Sequence, residues 1–272
     1  MAQIVPGTGA VMPELPDVET FRRRLVGSSL HRKIEHVRVL DAQVVQGRSG
    51  RSLAQVLRGE QMEKTSRRGK QMFVSVSDGR WLVMHFGMTG FVEPASCDDP
   101  LPRHARVVFE LGGDRRLCFV DQRKLGFLAV VDDLEKHCQS EGLGPDALNV
   151  SRDDDVARLC GSSRARVKSL LMDQEAIAGI GNIYSDEILF QAHIDPRRKA
   201  GDLDENDVKR LHRQMRRVLG MAIDRHADPD ELPRGWLLHH RDDGTPCTRG
   251  NGHIRRFSAS GRGAFLCPEC QR

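Results

Sequence analysis

A proline–glutamate pair, Pro13-Glu14, follows Met12 near the start of the sequence. Inside a chain this pair has no chemistry of its own and indicates only a turn before a helix. If Met12 is the initiator and is removed, the nitrogen of Pro13 becomes a secondary amine with an ordinary α-amino pKa of about 8. Such an amine can attack an aldehyde-level carbon of a sugar and form an iminium, while Glu14 protonates the ring oxygen as the ring opens. The pair therefore predicts covalent amine catalysis with acid assistance, followed by elimination of the phosphates β and δ to the iminium.

Three cysteines near the end of the sequence have spacing typical of a zinc site. Cys267 and Cys270 form a CxxC pair, which lets two thiolates bind one tetrahedral ion. Cys247 begins the other half, but Gly250 occupies the place where the second cysteine of that half would stand. The candidates for a fourth ligand are histidines, namely His253, His239 and His240. The alternative is a hairpin that has lost its metal and is held by packing.

Features that could bind phosphate occur in several parts of the chain. A glycine-rich turn ends at Asn182, where a helix is predicted to begin, and free N–H groups at a helix start favour anions. Arg262 precedes the Cys267 pair, and a guanidinium can bind phosphate through two hydrogen bonds. Arginine-rich clusters recur elsewhere, at 22–24, 67–70, 164–168, 197–199 and 255–256. The alternative for any one cluster is a solvated surface of mixed charge.

Composition narrows the class of protein further. The chain has 272 residues and a net charge of +4, and only 5% of its residues are aromatic. The small number of aromatic residues argues against a single-strand binding protein that stacks unpaired bases on aromatic rings. It is compatible with a protein that binds the phosphate backbone of a duplex. No apolar run reaches the roughly 18 residues of a membrane span. The odd number of cysteines, seven, argues against a secreted disulfide scaffold and favours a reducing cytosol.

The periodicity of apolar residues predicts two kinds of region. A helix over 16–26 is followed by alternating patterns that predict strands over 72–76, 81–84, 107–111, 117–120 and 127–131. Beyond 145 the pattern predicts helices over 151–160, 168–173 and 205–225 and another from residue 182. The tail, 236–272, lacks a helical period and is typical of a small hairpin.

Several motifs together resemble the formamidopyrimidine-DNA glycosylase family, which includes endonuclease VIII. They run in family order from PELPDVET at Pro13 through SRRGK, HFGMTG, DQRKLG, LMDQ, GIGNIYSDE and the final CPECQ. The resemblance implies an α+β fold in three parts. These are an N-terminal antiparallel β-sandwich with a short helix over 12–146, a helix–two-turn–helix domain over 147–235 and a zinc-finger-like hairpin over 236–272. Residues 1–11 would be a non-native or unprocessed extension, with Met12 as the true initiator.

The resemblance also implies roles for individual residues. Pro13 matches the Schiff-base nucleophile, Glu14 the acid beside it, Lys70 a phosphate contact and proton donor in β-elimination, and Arg262 the finger arginine of δ-elimination. Positions that match DNA contacts are His104, Arg123, Arg164 and Asn182. Positions that match the residues filling the gap left by an extruded base are Met88, Arg123 and Leu125. Cys247, Cys267 and Cys270 would hold zinc.

The resemblance implies a bifunctional glycosylase and abasic-site lyase that removes oxidised bases from duplex DNA. Four departures leave alternatives open, the first being residues 1–11 ahead of Met12. Gly250 replaces a finger cysteine, Leu125 stands where the family often has an aromatic wedge, and the segment before Cys247 is short. If residues 1–11 are retained, Pro13 cannot form an iminium, and the chain would be a non-catalytic binder of damaged DNA or a lyase with little glycosylase activity. Purine and pyrimidine lesions both remain open.

The expected setting follows from the same reasoning. Double-stranded damaged DNA is the expected partner, with no membrane and no second subunit. A cytoplasmic bacterial protein, associated with the nucleoid through DNA, is the expected context.

Overall fold

A computed structural model describes residues 12–259 and 261–272. The chain divides into two compact units. Of the described residues, the first unit holds 12–13 and Asp17–Glu141, and the second holds Glu14–Pro16 and Gly142–Arg272. The division into 12–146, 147–235 and 236–272, and the status of residues 1–11, which lie outside the described residues, stay predictions.

Two four-stranded antiparallel sheets form the first unit, in the orders β1-β6-β7-β5 and β2-β3-β4-β8. Their strands are β1 (Ile34–Val39), β2 (Met62–Arg68), β3 (Gln71–Val76), β4 (Trp81–His85), β5 (Gly90–Ser96), β6 (Ala105–Leu111), β7 (Arg115–Asp121) and β8 (Phe127–Val131). The helices are α1 (Leu15–Ser28), α2 (Gly50–Leu57) and α3 (Leu134–Ser140). Apolar side chains of both sheets share one core with Val18 and Leu25 of α1. The predicted β-sandwich with a short helix is thereby confirmed.

The strand β3 differs from its prediction. Met72, Val74 and Val76 alternate with other residues, which predicts a strand with one face exposed to solvent. In the structure all six residues of β3 are buried. The strand lies between β2 and β4, and the side chains of Phe73 and Ser75 on its second face are covered as well. Burial on both faces therefore replaces the expected alternation.

Four helices form most of the second unit: α4 (Asp153–Gly161), α5 (Val167–Met172), α6 (Asn182–Ala192) and α7 (Glu205–Asp224). Asp204 caps α7 in a capping box. Its side chain accepts a hydrogen bond from the Asp207 N–H, and the Asp207 side chain accepts one from the Asp204 N–H. Nearly all of α6 is buried, while α7 buries only the apolar stripe that its period predicts.

The tail folds as a hairpin of β9 (Arg255–Ala259) and β10 (Arg262–Leu266). A small core of its own, with Cys247, Ile254 and Cys267, packs against Phe190 of α6 and Leu237. The predicted hairpin is confirmed. None of the helices in the described part of the chain combines the length and apolar content that a membrane crossing requires.

Candidate active site and nucleic-acid interface

The carboxylate of Glu14 caps the N-terminus of α6. Its Oε2 accepts hydrogen bonds from the N–H groups of Gly181 at 2.7 Å and Tyr184 at 3.2 Å, and its Oε1 accepts one from Ile183 at 2.8 Å. The side chain is only 2% exposed. Free N–H groups and the positive end of the helix stabilise a negative charge at this point. The residue that directly follows Pro13 is therefore held as a fixed carboxylate.

Two glycines before α6 allow this close approach. A Cβ on Gly181 would lie 2.6 Å from Glu14 Oε1, and one on Gly179 would lie 2.5 Å from Leu15 Cδ1. Gly179 also has a φ of +118° and accepts a hydrogen bond from the Leu15 N–H at 3.0 Å. The glycine-rich turn, predicted from sequence to favour a phosphate, thus receives a carboxylate of the protein itself.

Lys70 lies at the turn between β2 and β3 in the first unit. The turn passes through Gly69 with a φ of +59°, and the Arg67 guanidinium donates a 2.9 Å hydrogen bond to the Gly69 carbonyl. Burial lowers the pKa of the nearby His85, and the charge of Lys70 lowers it further. The Gly87 N–H donates to His85 Nδ1 at 3.3 Å, which matches a neutral imidazole.

The structure brings together the three residues expected to fill the gap of an extruded base. Met88 lies in the turn between β4 and β5, and Arg123 and Leu125 lie in the loop between β7 and β8. Leu125 is 50% exposed, slightly more than Leu40 at 47% in the same unit. His104, just before β6, has a φ of +65°, and its Nδ1 lies 3.5 Å from Arg106 Nη2.

In the second unit, Asn182 and Arg262 come close together. Asn182 is the first residue of α6, and its Nδ2 donates to the Gly263 carbonyl at 2.9 Å, next to Arg262 at the start of β10. Arg262 is exposed, as is Arg164, which lies in the segment before α5. The hydrogen bond to Gly263 joins Asn182 to the hairpin. The sequence predicted only a DNA contact for Asn182 and not this structural role.

A buried ionic network, not predicted from the sequence, joins α5, α6 and the hairpin. The carboxylate of Asp186 accepts from Lys168 Nζ at 2.6 Å, from Arg241 Nη1 at 2.7 Å and from the Phe265 N–H at 3.2 Å. Lys168 Nζ also donates to the Asn182 carbonyl at 3.1 Å. In the sequence, the only sign of this network is the acidic pair in GIGNIYSDE. A carboxylate that becomes buried in a helix needs a partner of opposite charge.

The three cysteines of the tail converge on one point. The sulfur atoms of Cys247, Cys267 and Cys270 all lie within 4.8 Å of one another, and among the described residues no histidine or carboxylate joins them. Burial and, to a lesser extent, the neighbouring thiols of Cys247 and Cys267 together raise the pKa of Cys270 to about 12, an effect that a bound cation would reverse. Three thiols in such a cluster fit a thiophilic ion such as zinc.

The fourth corner of the cluster has no side-chain ligand among the described residues. The structure leaves His253 exposed, while His239 and His240 lie near backbone carbonyls of Leu232 and Arg234. A Cβ on Gly250 would lie 3.4 Å from Cys270 Sγ, so this position faces the cluster. The structure does not bring the three candidate histidines to the cysteines.

Two family models match the chain. The formamidopyrimidine-DNA glycosylase N-terminal domain matches residues 12–128, and the formamidopyrimidine-DNA glycosylase H2TH domain matches residues 143–230. The second match covers α4 to α7, so the predicted helix–two-turn–helix region is confirmed.

Named relatives align along nearly the whole chain. The formamidopyrimidine-DNA glycosylase of Moorella thermoacetica is 37% identical over 266 residues, which is 95% of this chain and 92% of the relative. That of Stenotrophomonas maltophilia is 35% identical over 273 residues, which is 96% of this chain and 100% of the relative.

Solved structures agree with these alignments. A Lactococcus lactis Fpg variant in complex with Fapy-dG-containing DNA superposes with a TM-score of 0.86 at 28% identity, covering 96% of this chain and 100% of the other. The Lactococcus lactis enzyme bound to DNA with an AP site gives 0.85 at 27% identity, covering 95% and 99%. Since domain models, full-length relatives and whole-chain structural matches coincide, this chain belongs to the formamidopyrimidine-DNA glycosylase family.

Proposed function

We propose that the protein is a bifunctional DNA glycosylase and abasic-site lyase of base excision repair, acting on oxidised bases in duplex DNA. The observation that carries the proposal is the Glu14 carboxylate directly after Pro13, fixed by three N–H groups at the N-terminus of α6. The relatives named above, two of them bound to Fapy-dG or an AP site, support the substrate class.

The proposed chemistry begins at the imino nitrogen of Pro13. This nitrogen attacks C1′ of the damaged nucleotide, and the base leaves with the electron pair of the broken C1′–N bond and takes a proton from water. Glu14 takes the proton that the amine releases and gives it to the ring oxygen, which opens the sugar and leaves an iminium at C1′. Loss of the C2′ proton then breaks the C3′–O bond, and loss of the C4′ proton breaks the C5′–O bond.

Other residues serve the later steps and the grip on DNA. Lys70 supplies phosphate binding and a proton in β-elimination, and Arg262 supports δ-elimination from the hairpin. Asn182, Arg123, Arg164 and His104 hold the backbone of the duplex, and Met88, Arg123 and Leu125 fill the space of the extruded base. Both units contribute such residues.

Borohydride trapping tests the proposed nucleophile. Reduction converts an iminium into a stable amine, so a chain that begins at Pro13 should become covalently linked to duplex DNA containing an abasic site. The matched control is the same chain with its amino terminus acetylated, which blocks the attack and changes no side chain. Equal trapping of both chains would contradict the role of Pro13.

A second candidate function rests on residues 1–11. With these residues attached, the Pro13 nitrogen is an amide and cannot form the iminium. Such a chain would bind damaged duplex DNA without cutting it, or cut abasic sites slowly through another amine. Mass spectrometry of the amino terminus in the native cell distinguishes the two candidates, since the enzyme requires an end at Pro13.

The cysteine cluster is proposed to hold one zinc ion through Cys247, Cys267 and Cys270. The ion would cross-link the two ends of the hairpin and take no part in the reaction. We also propose that the protein acts as a monomer in the cytoplasm of a bacterium, with damaged DNA as its partner.

A further inference from the structure

The turn that carries Met88 and the loop that carries Arg123 and Leu125 lie against each other in the first unit. Gly87 has a φ of +56°, and a Cβ there would lie 2.7 Å from the Leu125 carbonyl oxygen. A Cβ on Gly126 would lie 2.5 Å from a backbone oxygen at the end of β4. These distances are shorter than real Cβ contacts, so glycines are needed where the two segments meet.

One buried carboxylate connects both segments. Asp121, at the end of β7, is 0% exposed. Its Oδ1 accepts from Thr89 Oγ1 at 2.5 Å and from the Arg123 N–H at 3.2 Å, and its Oδ2 accepts from the Gly126 N–H at 2.8 Å. Thr89 Oγ1 in turn accepts from the Arg123 N–H at 3.0 Å. Asp121 and Thr89 thus bond to the residues beside Met88, Arg123 and Leu125.

The tip of the loop is presented to solvent in a conformation that needs such support. Leu125 is half exposed, and its neighbour Lys124 has a φ of +54°, which a residue other than glycine rarely adopts. Backbone conformations of this kind persist when surrounding hydrogen bonds fix them. A side chain that must enter the stack as a base leaves has to be held at a defined position beforehand.

We propose that Asp121, acting with Thr89, is a positioning residue that holds Met88, Arg123 and Leu125 ready to replace an extruded base. This role rests on the proposed function, and it separates the residues that support base extrusion from those that act at C1′. The Asp121–Thr89 pair serves the extrusion of the damaged base. It does not serve the chemistry at C1′, since an abasic nucleotide has no base to extrude.

Two substitutions separate these roles. Asp121→Asn keeps the size of the side chain but turns one oxygen into a donor that faces another N–H or O–H donor. Thr89→Val removes one hydroxyl and is the milder change. Both should slow release of an oxidised base in single-turnover assays by about 10- to 100-fold, the scale expected when a positioned group shifts by about 1 Å. With protein in saturating excess over DNA, so that the backbone contact proposed for Arg123 does not limit binding, cleavage and borohydride trapping of abasic DNA should change less than about threefold, and Thr89→Ser should restore base release.

A fluorescent base reports extrusion without chemistry. With 2-aminopurine beside the lesion, unstacking raises its fluorescence when the wild-type protein binds, and both variants should reduce this rise. Ser75→Ala is the matched control, because Ser75 is buried in the same unit and accepts a backbone N–H bond from Lys64 at 3.1 Å. It removes a similar hydrogen bond in the other sheet, on β3, and should leave base release unchanged.

The outcomes decide between the claims. Equal losses of base release and abasic cleavage, or a normal fluorescence rise in Thr89→Val, would overturn the positioning role. Wild-type protein that neither releases bases nor cuts abasic DNA would instead overturn the proposed function, and the fluorescence assay would still test the inference. Thermal unfolding of each variant, measured beforehand, sets an assay temperature at which all of them are folded.

Discussion

Glu187 is a buried acid in α6 that the proposed reaction does not use. Burial raises its pKa to about 7, although hydrogen bonds from Gln191 Nε2 at 2.7 Å and the Leu238 N–H at 2.9 Å favour the ionised form. The folded protein therefore keeps this proton up to about pH 7, while the unfolded chain releases it near the ordinary value of 4.5. Between these values the folded state binds more protons, so the free energy of unfolding falls as pH rises.

We predict that Glu187→Gln flattens this pH dependence. The contribution of Glu187 is present in full below pH 4.5, is lost by about pH 7 and amounts to about 3 kcal/mol. Urea unfolding at pH 5, 6, 7 and 8, followed by fluorescence of Trp236 in a Trp81→Phe background, measures it in the second unit. Glu205→Gln, an exposed acid in the same unit, is the control and should keep the wild-type slope. Parallel profiles for Glu187→Gln and wild type would contradict the raised pKa.

At the scale of elements, the hairpin is attached to α6 by contacts that involve no metal. Asn182 and Asp186 bond to backbone groups of β10, and the Arg249 guanidinium donates to Gln191 and lies 5.1 Å above the Phe190 ring. These contacts fix the strand that carries Arg262. A metal at the three cysteines would add to these contacts by joining the chain segments before β9 and after β10.

The substitution Gly250→Cys should complete a four-thiolate site. The Gly250 Cβ position is 3.4 Å from Cys270 Sγ, an ordinary contact distance for an added side chain. A fourth thiolate should slow the transfer of zinc to a chelator by at least about 10-fold, since even partners outside the first ligand sphere contribute 10- to 100-fold. Gly250→Ala adds the Cβ without the sulfur and should leave zinc transfer unchanged. Equal rates for the two variants would show that residue 250 does not reach the ion.

The periodicity of apolar residues predicted those helices and strands in which apolar positions coincide with buried positions. The strand at Phe127–Val131, the start of α6 at Asn182 and the helix from Glu205 were all predicted, because apolar residues there follow the burial. The strand β2, with the sequence MEKTSRR, was missed because it is an edge strand with few apolar residues. The helices α2 and α3 were also missed, each being eight residues or fewer.

Long-range contacts within the candidate site were beyond the sequence. Glu14 meets the N-terminus of α6 across 167 positions of the chain, and only the fold brings them together. Asp121 within DQRKLG resembles an ordinary surface acid, since the three residues that follow it are polar or charged and exposed. Its full burial and its three hydrogen-bond donors become visible only when β7 and the turn at Thr89 are placed.

At the scale of the whole molecule, the net charge is only +4, so contacts with phosphates are expected of individual cations rather than of the overall charge. The arginines proposed to hold the DNA backbone occur in both units, with Arg123 in the first and Arg164 and Arg262 in the second. All three are exposed. Each cation that neutralises a phosphate releases counterions, so each should add to the salt dependence of binding.

The double variant Arg123→Gln/Arg164→Gln should therefore bind duplex DNA less steeply as salt is varied. The slope of log K against log salt should decrease in magnitude by about 1.8, since each phosphate contact contributes about 0.9. Fluorescence anisotropy with duplex DNA that contains an uncleavable abasic analogue measures this slope, at salt concentrations from about 50 to about 200 mM. Arg152→Gln is the control, because Arg152 is exposed but pairs with Asp154 at 3.2 Å. An unchanged slope in the double variant, or an equal decrease in the control, would mean that these two arginines do not contact phosphate and that other cations supply the grip.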